Sequence, residues 1–514
     1  MDLVIFHYHF DSGGVTGVVA RAVRAFREGL GGEIGSIRLV SGRSAEALAA
    51  DLECSSVTWP ELDYLDPQAY TSRRAVAAAR EEAGRLAERL RMSFGGPNTL
   101  WWIHNHHLGK NPVFTQALLE IAAARPEQRM LLQIHDFPER ARFDNLRFLR
   151  RIITLPPYPL GRGVHYAVLN PVDHRLLLAS GVPAARVTLL ENPLAPYRSG
   201  ARGRPGLRRQ LAASPGAFSF RPDEPLLLYP IRAIRRKNVL EAALLTRLLG
   251  EDCTLAVTLP GTSGAERPYS ELLEQTYSDG RVRGLWKIGT LLEELGMSFA
   301  DLIAAADMVI STSVQEGFGY LFANTLQWGL PLAARDLDTL EGFKSLFRGY
   351  PARFYDSLAC PLDAARRARL LELYKHKLAS LADLLPRGRL TNLENEFTRL
   401  FAAGDVDFSY LPPNLQAGVL AALDSGDTLE RLREANAELV RGIRVLLDSP
   451  LTEAANRRDQ AEERFGFAGY ARRFLKVCRT WPRPSAPAPA AEADIREAVL
   501  AACLSKESFR VLYD

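Results

Sequence analysis

Residues 313–337 read SVQEGFGYLFANTLQWGLPLAARDL. An acid, Glu316, precedes the turn Gly317-Phe318-Gly319, a short apolar-faced helix follows, and Gly-Leu-Pro at 329–331 hands the chain to the apolar run LAAR. Just upstream stands DMVIST (307–312), so the order is strand, loop, helix, strand, the repeating unit of an α/β sheet. Glycines at 317 and 319 let the backbone come close to a ligand, and a helix from Tyr320 begins with unpartnered amides. Glu316 then has two uses. It is either a first-turn charge stabilised by the helix dipole, worth at most about 1 kcal/mol, or an acceptor for ligand hydroxyls.

Upstream, the strand-like LLLYP (226–230) runs into RAIRRKN (232–238) and the helix VLEAALLTRLL (239–249). Arg232 and Lys237 therefore flank a helix N-terminus, where free amides and the dipole favour an anion. A guanidinium fork with an ammonium point charge suits a diphosphate. Four basic residues in this loop are also what a solvated turn shows, so the loop acquires meaning only together with the glycine turn downstream.

The same alternation fills the first half. LVIFHYHF (3–10), IRLV (37–40), TLWWIH (99–104), MLLQIH (130–135) and HYAVLN (165–170) read as strands; DSGGVTG (11–17) leads into an amphipathic helix carrying Arg21, Arg24 and Arg27 on its polar face. These segments define an expected organisation: a Rossmann-like domain over 1–198, a Gly/Pro/Arg-rich linker over 199–224, and a second Rossmann-like domain over 225–460 with a helical insertion at about 364–405. A helix over 461–480 is expected to pack back on the first domain, and 481–514 forms a Pro/Ala tether (PRPSAPAPAAEA, 482–493) with a terminal helix. The fold class is α/β, two Rossmann-like domains facing across a cleft, with ligands at the carboxyl ends of the strands.

Bulk composition excludes several functions. At 514 residues the chain is too long for one core. A formal charge of +4 is too small to imply nucleic acid. Five dispersed cysteines without a C-x-x-C suit reduced thiols in a cytoplasm rather than disulfides or zinc. The start MDLVIFHYHF reads as a first strand, with no basic leader, and no apolar run reaches eighteen residues. The spacing G-G-x-x-G, and a second strand without a terminal acid, argue against a nicotinamide cofactor. The arginines from Arg140 to Arg151 read as a solvated or interdomain face; peripheral membrane contact is the less favoured alternative.

On these residues the chain resembles the retaining glycosyltransferases of the GT-B fold, specifically glycosyltransferase family 4, which includes sucrose-phosphate synthases. The resemblance spans roughly Leu3 to Cys478 and is most specific over Tyr229–Asn238 and Ser311–Arg335. It implies a metal-independent hexosyltransferase with a nucleotide-diphosphate sugar as co-substrate and no other cofactor. The implied donor contacts are Gly13, Gly14, Arg232, Lys237, Glu316, Gly317, Phe318, Gly319 and Asn324, with Arg232 and Lys237 on the diphosphate and Glu316 on sugar hydroxyls. The implied catalytic set is Glu316, His135, Arg232 and Lys237, with the leaving phosphate helping to deprotonate the acceptor hydroxyl. Asn324 departs from the family's E-x7-E pattern, whose second acid holds the ribose; an amide still hydrogen-bonds, but without charge. Six histidines lie at or near strand ends, and His104, His106 and His107, with Lys110, are expected to hydrogen-bond a sugar or other hydroxylated acceptor rather than a metal. Asn111 and Asp136 are further candidates. Two other readings are open: a phosphorylase using a sugar 1-phosphate, or a non-catalytic nucleotide-sugar-binding protein.

Overall fold

The computed structural model describes residues 1–29, 32–96, 98–200, 202–448, 454–479 and 489–510. They form two units, one of residues 1–196 with 462–505, the other of 197–461 with 506–510.

The first unit is built on seven parallel strands: β1 (Asp2–Phe6), β2 (Ile37–Ser41), β3 (Ser55–Thr58), β4 (Thr99–His104), β5 (Arg129–Ile134), β6 (Val164–Val168) and β7 (Val187–Leu189). Their order, β3-β2-β1-β4-β5-β6-β7, reverses direction between β1 and β4. The strands read as continuous apolar runs because helices cover both faces. Alternation sends Trp101 into one face's core with Phe6 and Phe114, and Trp102 into the other with Phe26 and Phe474. Phe474 belongs to the helix Phe467–Arg479, which packs on the helix Gly14–Gly29; Phe26 and Phe474 have ring centroids 4.4 Å apart.

The second unit repeats the plan with β8 (Ala217–Phe218), β9 (Leu226–Ala233), β10 (Thr254–Pro260), β11 (Gly284–Leu285), β12 (Met308–Ser311), β13 (Leu332–Arg335) and β14 (Ala352–Tyr355). The order is β14-β13-β12-β9-β10-β11-β8, with only the edge strand β8 antiparallel. The reversal falls between β9 and β12. The expected helical insertion is the antiparallel pair Ala364–Ala379 and Arg387–Ala402, entered and left through a small sheet of β15 (Ala359–Pro361) and β16 (Asp405–Asp407).

The stretch expected as a linker over 199–224 differs from that expectation. It holds a helix, Arg204–Ala212, and strand β8. Leu207 and Leu211 turn inward while Arg204 and Arg208 both ion-pair with Asp307, so a basic run that reads as a connector is an amphipathic helix. Of the Pro/Ala tether expected over 482–493, residues 482–488 lie outside the described residues, while 489–493 differ from that expectation and open the helix Pro489–Cys503. All five cysteines are free. Among the described residues no helix is long and apolar enough to cross a membrane.

Burial makes the first unit acid-sensitive. Loss of hydration pushes His7 down to about 3 and His106 and His135 down to about 4. Burial also holds His104 and His107 well below the ordinary imidazole value. All are neutral in the folded unit at pH 6.5, where the unfolded chain begins to take up protons, so stability falls as pH drops from 6.5 towards 4. At about 1.4 kcal/mol per pH unit, His106 alone costs on the order of 3 kcal/mol. Glu139 opposes this, because burial pushes it up to about 7 and its contribution is lost as pH rises through that value; it is one group against five. The urea midpoint of unfolding should therefore be clearly lower at pH 5 than at pH 7. An equal midpoint at both pH values would show that these imidazoles are hydrated.

Candidate functional site

Each sheet carries a polar cluster at its point of reversal, where two adjacent strands send their following loops in opposite directions and leave a gap at their carboxyl ends. In the second unit these loops follow β9 and β12. Tyr229, buried on β9, fixes them together: its hydroxyl donates to the Lys237 carbonyl at 2.8 Å and shares a hydrogen bond with Ser313 Oγ at 2.8 Å. Thr312 Oγ1 donates to the carbonyls of Lys237 and Asn238 at 3.1 and 3.0 Å, and the Val314 amide donates to the Arg236 carbonyl at 2.9 Å. Two loops distant in sequence become one rigid platform.

On that platform the Lys237 ammonium ion-pairs with Glu316. Arg236 lies 3.6 Å from the second Glu316 oxygen and donates to the Gln315 carbonyl at 3.0 Å. Burial alone would raise the Glu316 carboxyl, but Lys237 and then Arg236 hold it below the usual carboxylate range, so it is ionised at neutral pH. The structure thus brings Lys237 and Glu316 into contact and adds Arg236. Arg232, at the end of β9, is half-buried and its guanidinium has no polar partner among the described residues. Asn324, on the second turn of the helix Tyr320–Trp328, is half-buried and makes no side-chain hydrogen bond among the described residues. Gly319 caps that helix with φ +85°, and a Cβ there would meet the Phe322 ring at 2.5 Å. Phe318 departs from its expected role. It is 4% exposed and packs on Tyr320 and Phe343 with centroids 5.1 and 5.4 Å away, so its side chain anchors the turn instead of meeting a ligand.

In the first unit the reversal brings together the ends of β1 and β4, with β5 beside them. Asn105, at φ +55°, turns the chain after β4; its side-chain oxygen accepts from the amides of His135 (2.8 Å) and Asp136 (3.3 Å), while Tyr8 Oη donates to its carbonyl (2.8 Å). His104 Nδ1 and His135 Nε2 share one proton at 2.8 Å. His135 is half-buried, and its Nδ1 has no partner among the described residues. Around this pair stand His9, stacked edge-on to Tyr64 at 4.8 Å, and Lys110, 5.3 Å over the Tyr64 ring. Arg142 pairs with Asp136 at 2.5 Å, and Arg43 bonds Asp63 at 2.8 Å and also pairs with Asp11. Gly13 and Gly14 are exposed at the start of the helix Gly14–Gly29, without positive φ; a Cβ on Gly13 would make an ordinary 3.7 Å contact with the Asp11 carbonyl, and one on Gly14 would meet nothing. Nothing within the unit itself demands glycine there.

Three expected acceptor contacts are corrected. His104, His106 and His107 are buried, at 1%, 0% and 0% exposed. His106 bonds the Pro157 carbonyl at 2.9 Å, and His107 packs between Phe137 and Tyr158. A neutral imidazole tolerates burial, and these rings are core. Asn111 is likewise buried, capping the helix Pro112–Ala124 and donating to the carbonyls of Glu61 and Asp63. Sequence reasoning passed over Arg236, Arg43, Arg142, Tyr64 and Tyr229. Arg236 was visible within RAIRRKN; Tyr64 and Arg43 lie in loops whose local sequence carries no signal.

Two parallel-sheet Rossmann-like units of this strand order define the GT-B fold of glycosyltransferases. Sucrose-phosphate synthase from Thermosynechococcus elongatus has a similar structure, with a TM-score of 0.50, 14% identity, and coverage of 93% of this chain and 98% of that one. Among curated proteins, mannosylglucosyl-3-phosphoglycerate synthase from Petrotoga mobilis is 28% identical over 449 residues, 87% of this chain and 85% of the relative. No protein-family model matches the chain. The likeness to sucrose-phosphate synthase gives the chain the GT-B fold.

The turn at Gly319 is the most exacting backbone position in the second cluster. Gly319→Ala combines a left-handed backbone, costing about 1–2 kcal/mol for a residue with a Cβ, with a steric conflict at Phe322. The variant should melt several degrees lower than the parent by calorimetry. An unchanged melting temperature would mean that the turn relaxes freely.

Proposed function

We propose that the chain transfers the hexosyl group of a nucleotide-diphosphate sugar to a hydroxyl of a phosphorylated, carboxylated acceptor, with retention of configuration and without a metal ion. The observation that carries this reading is the Lys237–Glu316 pair with Arg236 beside it, at the reversal of the second sheet, where β9 ends with Arg232. A diphosphate placed there meets two guanidinium groups, an ammonium and the amides of the helix Tyr320–Trp328, and Glu316 is an ionised acceptor for sugar hydroxyls. Asn324 supplies a neutral donor and acceptor for a ribose.

The chemistry is positioning and electrostatics. As the bond from the sugar's anomeric carbon to the phosphate oxygen breaks, charge grows on the diphosphate opposite Arg232, Arg236 and Lys237. The acceptor oxygen bonds to the anomeric carbon, and its proton passes to the departing phosphate oxygen. His135, neutral because burial lowers it to about 4, offers Nδ1 as a hydrogen-bond partner and not as a cation.

Support for an anionic acceptor comes from the first unit, where Lys110, Arg142 and Arg43 surround Tyr64 and His9. The Petrotoga relative is named for a product built on 3-phosphoglycerate, which carries both phosphate and carboxylate. The two exposed glycines before the helix Gly14–Gly29 leave room for a ligand against its amides.

The test is transfer from UDP-, GDP- and ADP-hexoses to glucosyl-3-phosphoglycerate and to unphosphorylated glucosylglycerate, followed by chromatography of the products. Transfer to the phosphorylated acceptor alone is expected. Arg232→Ala and Lys237→Ala should each lower kcat/KM by on the order of 10²-fold or more. Undiminished turnover in the double variant would overturn the assignment of the diphosphate to this loop.

A further inference from the structure

Beneath the Arg236–Lys237 loop lies a buried polar network that sheet formation does not require. Asn238 caps the helix Val239–Leu249 in a left-handed conformation, φ +49°, unusual for a residue with a side chain. Its side-chain oxygen accepts from Arg235 Nη1 (3.2 Å) and Gln416 Nε2 (2.9 Å), and its amide nitrogen donates to Glu241 (2.7 Å). Glu241 receives the fork of Arg335 at 2.6 and 2.7 Å, and Arg335 also reaches Asp407 at 2.5 and 3.1 Å.

The open side of this network is closed by the last described turn of the chain, Lys506–Phe509, and by Arg510. Arg235 Nη2 donates to the Leu411 carbonyl (3.0 Å) and to the Arg510 carbonyl (3.4 Å), a contact across 275 residues of sequence. The Arg510 guanidinium lies 3.8 Å from Asp407 and 5.3 Å over the Tyr410 ring. Phe509 is buried against Phe397, and Tyr374 Oη donates to its carbonyl at 3.4 Å.

We propose that the C-terminal segment Lys506–Arg510 is a positioning element of the donor site, holding Arg235 and Asp407 so that Asn238 keeps its left-handed cap and presents Arg236 and Lys237. The two residues that meet Glu316 directly follow Arg235, and Lys237 directly precedes Asn238, so both ends of the cationic turn are set by this network. Without the segment, Arg235 loses one carbonyl acceptor and Asp407 one of its two cations. A left-handed residue persists only where its surroundings over-determine it. Loosening the network therefore frees the turn. The assignment of the turn to a donor diphosphate rests on the function proposed above; the mechanical claim about the turn does not.

The experiment compares four full-fold candidates: the parent chain, a chain ending at Ser505, Arg510→Ala and Arg510→Lys. Hydrogen–deuterium exchange is followed over 234–242, and affinity for UDP, GDP and ADP by calorimetry. Amides of the cationic turn should exchange about tenfold faster or more in the shortened chain and in Arg510→Ala, with partial recovery in Arg510→Lys. The nucleoside diphosphate that binds the parent most tightly should bind these two about tenfold more weakly. If the shortened chain fails to fold, the point variants decide. Unchanged exchange over 234–242 in Arg510→Ala overturns the inference. A parent chain that binds none of the three nucleotides sinks the proposed donor while the exchange result still decides the role of the C-terminal segment.

Discussion

Glu241 is a carboxylate with 0% exposure at the base of the second unit, and the cationic turn above it depends on that charge being fully matched. A buried charge is tolerated only when paired and hydrogen-bonded. Arg335 supplies a bidentate fork, Tyr355 a hydroxyl at 2.8 Å, and Asn238 an amide. Each partner fixes something else in turn. Arg335 ties β13 to β16 through Asp407, and Asn238 sets the direction in which the chain leaves the cationic loop. Removing the carboxylate would leave Arg335 buried with one counter-charge, so the network acts as a unit in which no single member is dispensable.

The two polar clusters occupy equivalent places in their sheets and use opposite chemistry. At the reversal between β9 and β12 the groups are charged, and burial is offset by pairing: Lys237 and Arg236 keep Glu316 ionised. At the reversal between β1 and β4 the groups are imidazoles, and burial has removed their charge. The first arrangement suits a polyanion whose charge grows during reaction. The second leaves one half-buried ring, His135, as a neutral hydrogen-bonding group, while the cations of the first unit stand around Tyr64.

What could be read from the sequence follows from these physics. Parallel strands covered on both faces read as apolar runs, so β1, β4, β5, β6, β9 and β12 were visible. Strands of two to four residues such as β3, β8 and β11 are too short to show a period, and β8 was hidden inside a basic stretch taken for a linker. Glu316, Lys237 and Gly319 were legible because a glycine turn beside an acid, and a basic loop before a helix, have few other uses together. Histidines gave no such purchase. His104, His106 and His107 lie at a strand end, as ligand-binding residues do, yet sequence cannot distinguish an imidazole turned to a ligand from a neutral one packed on Phe137. Arg510 was beyond reach for another reason, since its partners Arg235 and Asp407 come together only in three dimensions.

The pairing of Lys237 with Glu316 bears on how the proposed site would work. Two groups that each have a use for a ligand are spending their interaction on each other. The carboxylate holds the ammonium in place, and Arg236 keeps the carboxylate from turning away. Under the proposed function, an incoming diphosphate, with more charge than one carboxylate, would draw the ammonium towards itself and release Glu316 to accept from hydroxyls. The switch needs no large movement, because Tyr229 and Thr312 already fix both loops. Under the same proposal a neutral amide at Asn324 would suffice on the neighbouring helix, because a ribose asks only for hydrogen bonds while negative charge would accumulate on the diphosphate.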